Sequence, residues 1–145
     1  MPRIKLITPE TIIATIDIPV RITDINYGNH VGNDSFVSII HEARMAWLKQ
    51  HNLTELSAGE TSLIMSGLVI EFKSESFYGD VLKIEISAGE ISQLGFELYY
   101  KISATRNEKT ILIANAKTDM VCFDYENKKP TAIPEILRNI LIVSL

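Results

Sequence analysis

The stretch TDINYGNHVGNDSFVSIIHEARMAWLKQ, residues 23–50, contains the change of pattern that decides the fold. Its first part, up to Asn33, is turn and polar chemistry apart from Ile25, Tyr27 and Val31. From Phe36 the period becomes helical. Phe36, Ile39, Ile40, Ala43, Trp47 and Leu48 fall on one stripe at i, i+3, i+4, i+7 spacing, which predicts a helix from about 34 to about 50. Asn33, Asp34 and Ser35 are its N-cap candidates, and it ends near His51 and Asn52. Val37, Met45 and Ala46 widen the apolar surface, so this helix needs a large partner to cover it.

On either side of the helix the period is two. Before it, Ile12, Ala14, Ile16, Ile18, Val20 and Ile22 share one face of a half-buried strand, and Pro19, which lacks an N–H, places that strand at an edge or a bulge. After it, Leu63–Phe72 reads as a strand buried over much of both faces. Leu82–Ala88, Phe96–Thr105 and 110–124 follow, separated by turns at Phe77–Asp80, Ser92–Gly95 and Arg106–Lys109. Connections this short make consecutive strands antiparallel neighbours. The first ten residues read as an arm or short strand, and Ile133–Leu141 as a short helix with Pro134 in its first turn. One antiparallel sheet of about five strands and one long helix make a two-layer α+β domain spanning residues 1–145.

Composition narrows the function. The 14 Lys and Arg against 18 Asp and Glu give a formal charge of −4, which argues against a nucleic-acid partner. No apolar run approaches the roughly 18 residues of a membrane span. The stretch MPRIKLITPE lacks the apolar core of a secretory leader, and a single cysteine, Cys122, excludes an internal disulfide and a multi-cysteine zinc site, so a cytoplasmic location is expected. The 46% hydrophobic content of so small a chain suggests a homo-oligomer. No metal or cofactor motif is present: phosphate-loop, dinucleotide-binding and nucleophile-elbow patterns are all missing.

The densest polar cluster is Asp24, Asn26, Asn29, His30, Asn33 and Asp34, between the first strand and the long helix. Asn and Asp gather in loops because they make turns and caps, and that reading stands beside a functional one. A helix N-terminus offers unpaired N–H groups and about half a positive charge, which can polarise a carbonyl oxygen. A nearby His or carboxylate then serves as base or nucleophile, which suits attack on an ester-like carbonyl. His30 is the first candidate base. Glu42 is the second if the fold turns it toward the loop; otherwise it is a surface carboxylate. His51, at the helix end, and Cys122, in a strand, read as structural.

The stretch Val20–Asn33, VRITDINYGNHVGN, followed by Phe36 and His41-Glu42-Ala43-Arg44, resembles hotdog-fold thioesterases of the 4-hydroxybenzoyl-CoA thioesterase type; Phe72-Lys73 and Tyr78–Leu82 extend the likeness. The resemblance implies a central helix wrapped by the sheet, and an acyl-CoA or acyl-carrier-protein substrate held at the interface of a homodimer or homotetramer. It implies a thioester carbonyl polarised by backbone N–H groups around Gly32 and Asn33, with Asn29 beside them. The chain departs from the family where a catalytic Asp is usual, which is Asn26 here, and where Gly precedes His, which is Asn29 here. A neutral amide neither takes a proton at pH 7 nor attacks well, although it can orient water. Plant-type acyl-carrier-protein thioesterases share the fold, but aligned on His30 their Asp and Asn fall on Asn26 and Gly28. The implied roles are therefore His30 or Glu42 as base, Asn26 as positioner and Asp24 as loop anchor. A non-catalytic acyl-binding module and a hotdog dehydratase are the alternatives. Phe36, Met45 and Trp47 are candidate walls for the acyl group, and Lys73, Arg106, Lys109, Lys128 and Lys129 are candidates for the CoA phosphates.

Overall fold

The computed structural model describes residues 3–142. Strand β1 (Ala14–Pro19) leads through a 3-10 turn (Ile22–Asp24) and a polar loop into helix α1 (Asn33–Gln50). Strands β2 (Ser62–Phe72), β3 (Val81–Ile91), β4 (Gly95–Arg106) and β5 (Lys109–Asp124) follow, then a two-residue β6 (Lys129–Pro130) and helix α2 (Glu135–Ile142). The sheet is antiparallel throughout, in the order β1-β3-β4-β5-β2, with β6 on the end of β5. No helix of the described residues is long and apolar enough to cross a membrane.

Side-chain alternation along the strands builds the core. Leu82, Ile84 and Ile86 of β3, Leu98, Tyr100 and Ile102 of β4, and Ala114, Ala116 and Met120 of β5 point to one face. That face meets Phe36, Ile39, Ile40, Ala43, Trp47 and Leu48 of α1. Each large apolar side chain buried here contributes about 1.5–3 kcal/mol. Pro19 sits at the end of β1, which pairs only with β3, so the missing N–H falls on an edge strand as expected. The β4–β5 hairpin closes through Asn107 and Glu108, both with positive φ, which gives a tight turn compatible with strand twist.

Four expectations are corrected. The N-cap of α1 is Gly32, and no side chain caps the helix: Asn33 is already its first residue, and Asp34 and Ser35 lie within the first turn. Strand β2 is not buried on both faces but forms the far edge of the sheet, with Met65 and Phe72 about 40% exposed and a bulge between Met65 and Gly67. Strands β2 and β3 are not neighbours, since β3 pairs with β1 and β4 while β2 pairs with β5. Segment 73–80 therefore crosses the sheet end and runs past the start of α1, where Val31 N–H donates to the Ser76 carbonyl at 2.8 Å. Finally, Ile22 leaves the buried stripe because the strand has already ended and the 3-10 turn exposes it. Among the described residues of the N-terminal arm, 3–10, there is no strand; the arm is tied to the sheet by Leu6 N–H donating to Glu71 Oε1 at 3.1 Å and Ser87 Oγ donating to the Pro9 carbonyl at 3.4 Å.

Candidate functional site

The loop before α1 is fixed from the inside. Asp24 is buried, and its carboxylate accepts from Arg21 N–H at 2.8 Å and from the Arg21 guanidinium at 3.3 Å. Its carbonyl accepts from Gly32 N–H at 3.0 Å, which ties the start of the loop to its end. Between them, Asn26 N–H donates to the His30 carbonyl at 2.9 Å, and Asn26 Oδ1 accepts from Gly28 N–H at 2.9 Å, an Asx turn. Asn29 completes the turn at φ +68°, a left-handed conformation that Asn tolerates better than other non-glycine residues. Glycine would meet the same conformational demand at this position.

This anchoring leaves the helix end open. Gly32 N–H is spent on Asp24, and the Gly32 carbonyl receives Ser35 N–H at 3.0 Å and Phe36 N–H at 3.4 Å. Asn33 and Asp34 occupy the first two helical positions, whose N–H groups have no intrahelical acceptor, and no side chain caps them. Beside them is a cavity of about 210 Å³ lined by His30, Val31, Asn33, Phe36, Phe72 and residues 73–76. His30 is partly exposed in its wall. Its Nδ1 lies 3.2 Å from the Val31 carbonyl, an acceptor only, so in the neutral ring Nδ1 carries the hydrogen and Nε2 keeps the basic lone pair. Nε2 is 3.9 Å from Glu75 Oε1.

Of the sequence candidates, His30 and Asn33 line this cavity. Gly32 and Asn26 are not among its lining residues; the Asn26 side chain packs over Gly32. Asp24 lies behind the loop, and Asn29 is exposed at its tip. Glu42 is not brought to the loop within the chain. It is nine residues beyond Asn33, about half a turn round the helix and about 13 Å along it, and it is exposed. Trp47 lies at 0% exposure in the core, so it is no cavity wall, whereas Phe36 is. Lys73 reaches the cavity and pairs with Glu71 at 3.0 Å, while Arg106 is committed to Asp80 at 2.6 Å. The hydrogen bonds from Arg106, followed by those from Phe77 N–H and Ser76, hold the Asp80 carboxyl below its ordinary pKa despite partial burial. Burial pushes the Cys122 thiol up to about 11, which leaves it unreactive.

Sequence reasoning missed two features. Residues 73–76 of the crossover supply four of the nine lining residues, and nothing local announces it. The second is a buried charge on α1. Arg44 is 4% exposed, its Nε donates to Glu55 Oε2 at 2.8 Å and its Nη1 to the Tyr100 hydroxyl at 3.2 Å, with Thr118 Oγ1 a further 2.7 Å from that hydroxyl. Burial lowers the Arg44 pKa, and Tyr100 and Glu55 raise it by more, so the group stands above its ordinary value. Its signal was present: Arg44 lies on the Ile40–Trp47 apolar stripe, where a charge requires a partner.

Residues 20–141 match the family model of the thioesterase-like superfamily. The chain belongs to this superfamily. Among thioesterase-like relatives it is similar to a 1,4-dihydroxy-2-naphthoyl-CoA hydrolase of Acaryochloris marina, 30% identical over 121 residues that span 81% of this chain and 88% of that one. It superposes on a 1,4-dihydroxy-2-naphthoyl-CoA thioesterase from Synechocystis with TM-score 0.77 and 25% identity, over 88% and 93% of the two chains. A mutant 4-hydroxybenzoyl-CoA thioesterase, solved with 4-hydroxybenzoyl-CoA, aligns with TM-score 0.78 over 88% of this chain and 97% of its own; at 17% identity that likeness concerns the hotdog fold alone.

Proposed function

We propose that this thioesterase-like protein hydrolyses an acyl-CoA thioester to the free acid and CoA at the N-terminus of α1. The observation that carries the reading is a helix start whose first two N–H groups, those of Asn33 and Asp34, are uncapped beside a cavity into which His30 projects. The thioester carbonyl oxygen accepts from these N–H groups, which hold the negative charge that develops as the carbonyl carbon becomes tetrahedral. Water attacks that carbon and gives its proton to His30 Nε2. The carbon–sulfur bond breaks, and the proton passes to the leaving thiolate. Asp24 fixes the loop, and Asn26 orients the water or the thioester, since its amide cannot act as base. The curated relative is named for 1,4-dihydroxy-2-naphthoyl-CoA, and we carry that class, an aromatic acyl-CoA, to this chain.

The free edge of β2 favours pairing with β2 of a second copy. Unpaired strand edges seek partners, and the half-exposed Met65 and Phe72 lie on this one. Asn26 in the family's carboxylate position favours a second reading, an acyl-thioester-binding module without turnover. Thiol release from aryl-CoA substrates separates the two: steady release supports hydrolysis, and tight binding without release supports the module. A dehydratase using His30 with Glu42 of the same chain lacks the required juxtaposition, because Glu42 is exposed on the opposite side of α1.

A further inference from the structure

Glu75 stands across the cavity mouth from His30. Its Oε1 is 3.9 Å from His30 Nε2, and among the nine described residues that line the cavity it is the one carboxylate. The acidic groups of the loop are turned elsewhere: Asp24 is buried on Arg21, and an Asp34 carboxylate oxygen packs against Gly32. Lys73, the cation of the same wall, pairs with Glu71. The backbone that carries Glu75 is fixed on both sides. Lys73 and Ser74 N–H donate to the Ile113 carbonyl at 2.8 and 3.1 Å, the Glu75 carbonyl accepts from Arg106 Nη2 at 2.9 Å, and the Ser76 carbonyl accepts from Val31 N–H at 2.8 Å. The last of these bonds joins the residue after Glu75 to the residue after His30, so adjoining backbone holds the two side chains opposite each other.

With Nδ1–H on the Val31 carbonyl, His30 Nε2 presents a lone pair, and Glu75 Oε1 presents another. Two acceptors 3.9 Å apart repel each other unless a donor of two hydrogens stands between them. Water is such a donor. A water about 2.8 Å from each atom sees them about 90° apart, close to the angle between its own O–H bonds, and its lone pairs are left for an electrophile. The Glu75 side chain is 65% exposed, so solvent refills the position after each turnover. We infer that Glu75 is a catalytic residue, which holds the attacking water together with His30. The inference rests on the thioesterase reading. One O–H bond of the water breaks as its oxygen bonds to the thioester carbon. That proton goes to Nε2, and the imidazolium so formed faces the Glu75 carboxylate, which stabilises it. The second hydrogen stays with the acid product. The carbon–sulfur bond breaks, and Nε2 returns its proton to the thiolate.

Thiol release from benzoyl-CoA and octanoyl-CoA tests this on the wild type, Glu75→Gln, His30→Ala and the variant carrying both changes. Glu75→Gln keeps the size and the exposed position of the side chain and removes the charge that faces the imidazolium. The expected result is a kcat about 10-fold to 100-fold lower in Glu75→Gln, with KM and the melting temperature nearly unchanged. The double variant is expected to be about as slow as His30→Ala alone, because both groups act on one water. A Glu75→Gln protein with wild-type kcat, a loss confined to KM or to the melting temperature, or losses that multiply in the double variant would overturn the inference and leave the thioesterase reading standing. A wild type that releases thiol from neither compound overturns both.

Discussion

At the scale of single residues, the site depends on which polar atoms are already spent. Gly32 N–H and the Asn26 carboxamide oxygen are committed to the loop, so the proposed mechanism draws on Asn33 N–H, Asp34 N–H and His30 Nε2. His30→Ala is expected to lower kcat about 100-fold with thermal stability nearly unchanged, measured by thiol release and differential scanning fluorimetry. Unaltered turnover would remove His30 from the mechanism. The cluster of polar residues before the helix was legible because turn formers and cap formers at the point where a period of two becomes 3.6 mark a helix start. The sequence leaves the face of Glu42 open, because its direction matters only once the cavity has a place; nine residues from Asn33 is two and a half turns, which sets it on the opposite side of α1 from the cavity, where it is exposed. The partnership of Arg44 with Glu55 could be sought only by asking what a charge on the buried stripe requires.

At the scale of elements, the crossover 73–80 latches the loop to the sheet. Asp80 accepts from Arg106, Ser76 and Phe77 N–H, and the same segment receives Val31 N–H on the Ser76 carbonyl. Arg106 also stacks on the Phe77 ring, 5.0 Å from its centre. Asp80→Asn is expected to cost about 1–3 kcal/mol at pH 7, read from urea unfolding, and to lower kcat/KM by loosening the cavity wall. The pH dependence follows from the lowered Asp80 pKa. A carboxyl whose folded pKa lies below its unfolded one stabilises above the unfolded value and loses that contribution as pH falls through the folded value. The gap between wild type and variant is therefore expected to shrink below about pH 4. A gap that stays constant from pH 7 to 3 would show that the charge of Asp80 is not what holds the crossover. The strands themselves were legible from alternation and their turns from Gly, Asn and Asp. The role of the crossover was not, because its eight residues are ordinary turn chemistry and their importance comes from where they pass.

At the scale of the whole molecule, strand order was the part that the residues did not give. Local periodicity sets which face of a strand is buried, but not which strand lies beside it; β2 pairs with β5 rather than β3 through contacts distant in sequence. The long apolar run of β2 reads as doubly buried, yet most of it is only partly buried within the described residues. If the β2 edges pair as proposed, sedimentation equilibrium is expected to give about twice the chain mass of 16.3 kDa. Met65→Lys, on that edge, should shift the population toward the monomer. A wild type that stays monomeric at every accessible concentration would refute the edge pairing.

The central claim is that the uncapped N–H groups at the start of α1 stabilise the reacting carbonyl. Asn33→Pro tests it most directly. Proline is favoured at the first helical position and fits the extended Gly32 before it (φ −71°, ψ 151°), so it removes one N–H while keeping the helix. Thiol-release kinetics should show Asn33→Pro slower in kcat than Asn33→Ala by about 100-fold to 1000-fold, with matching circular dichroism. Equal kcat in the two variants would contradict the account.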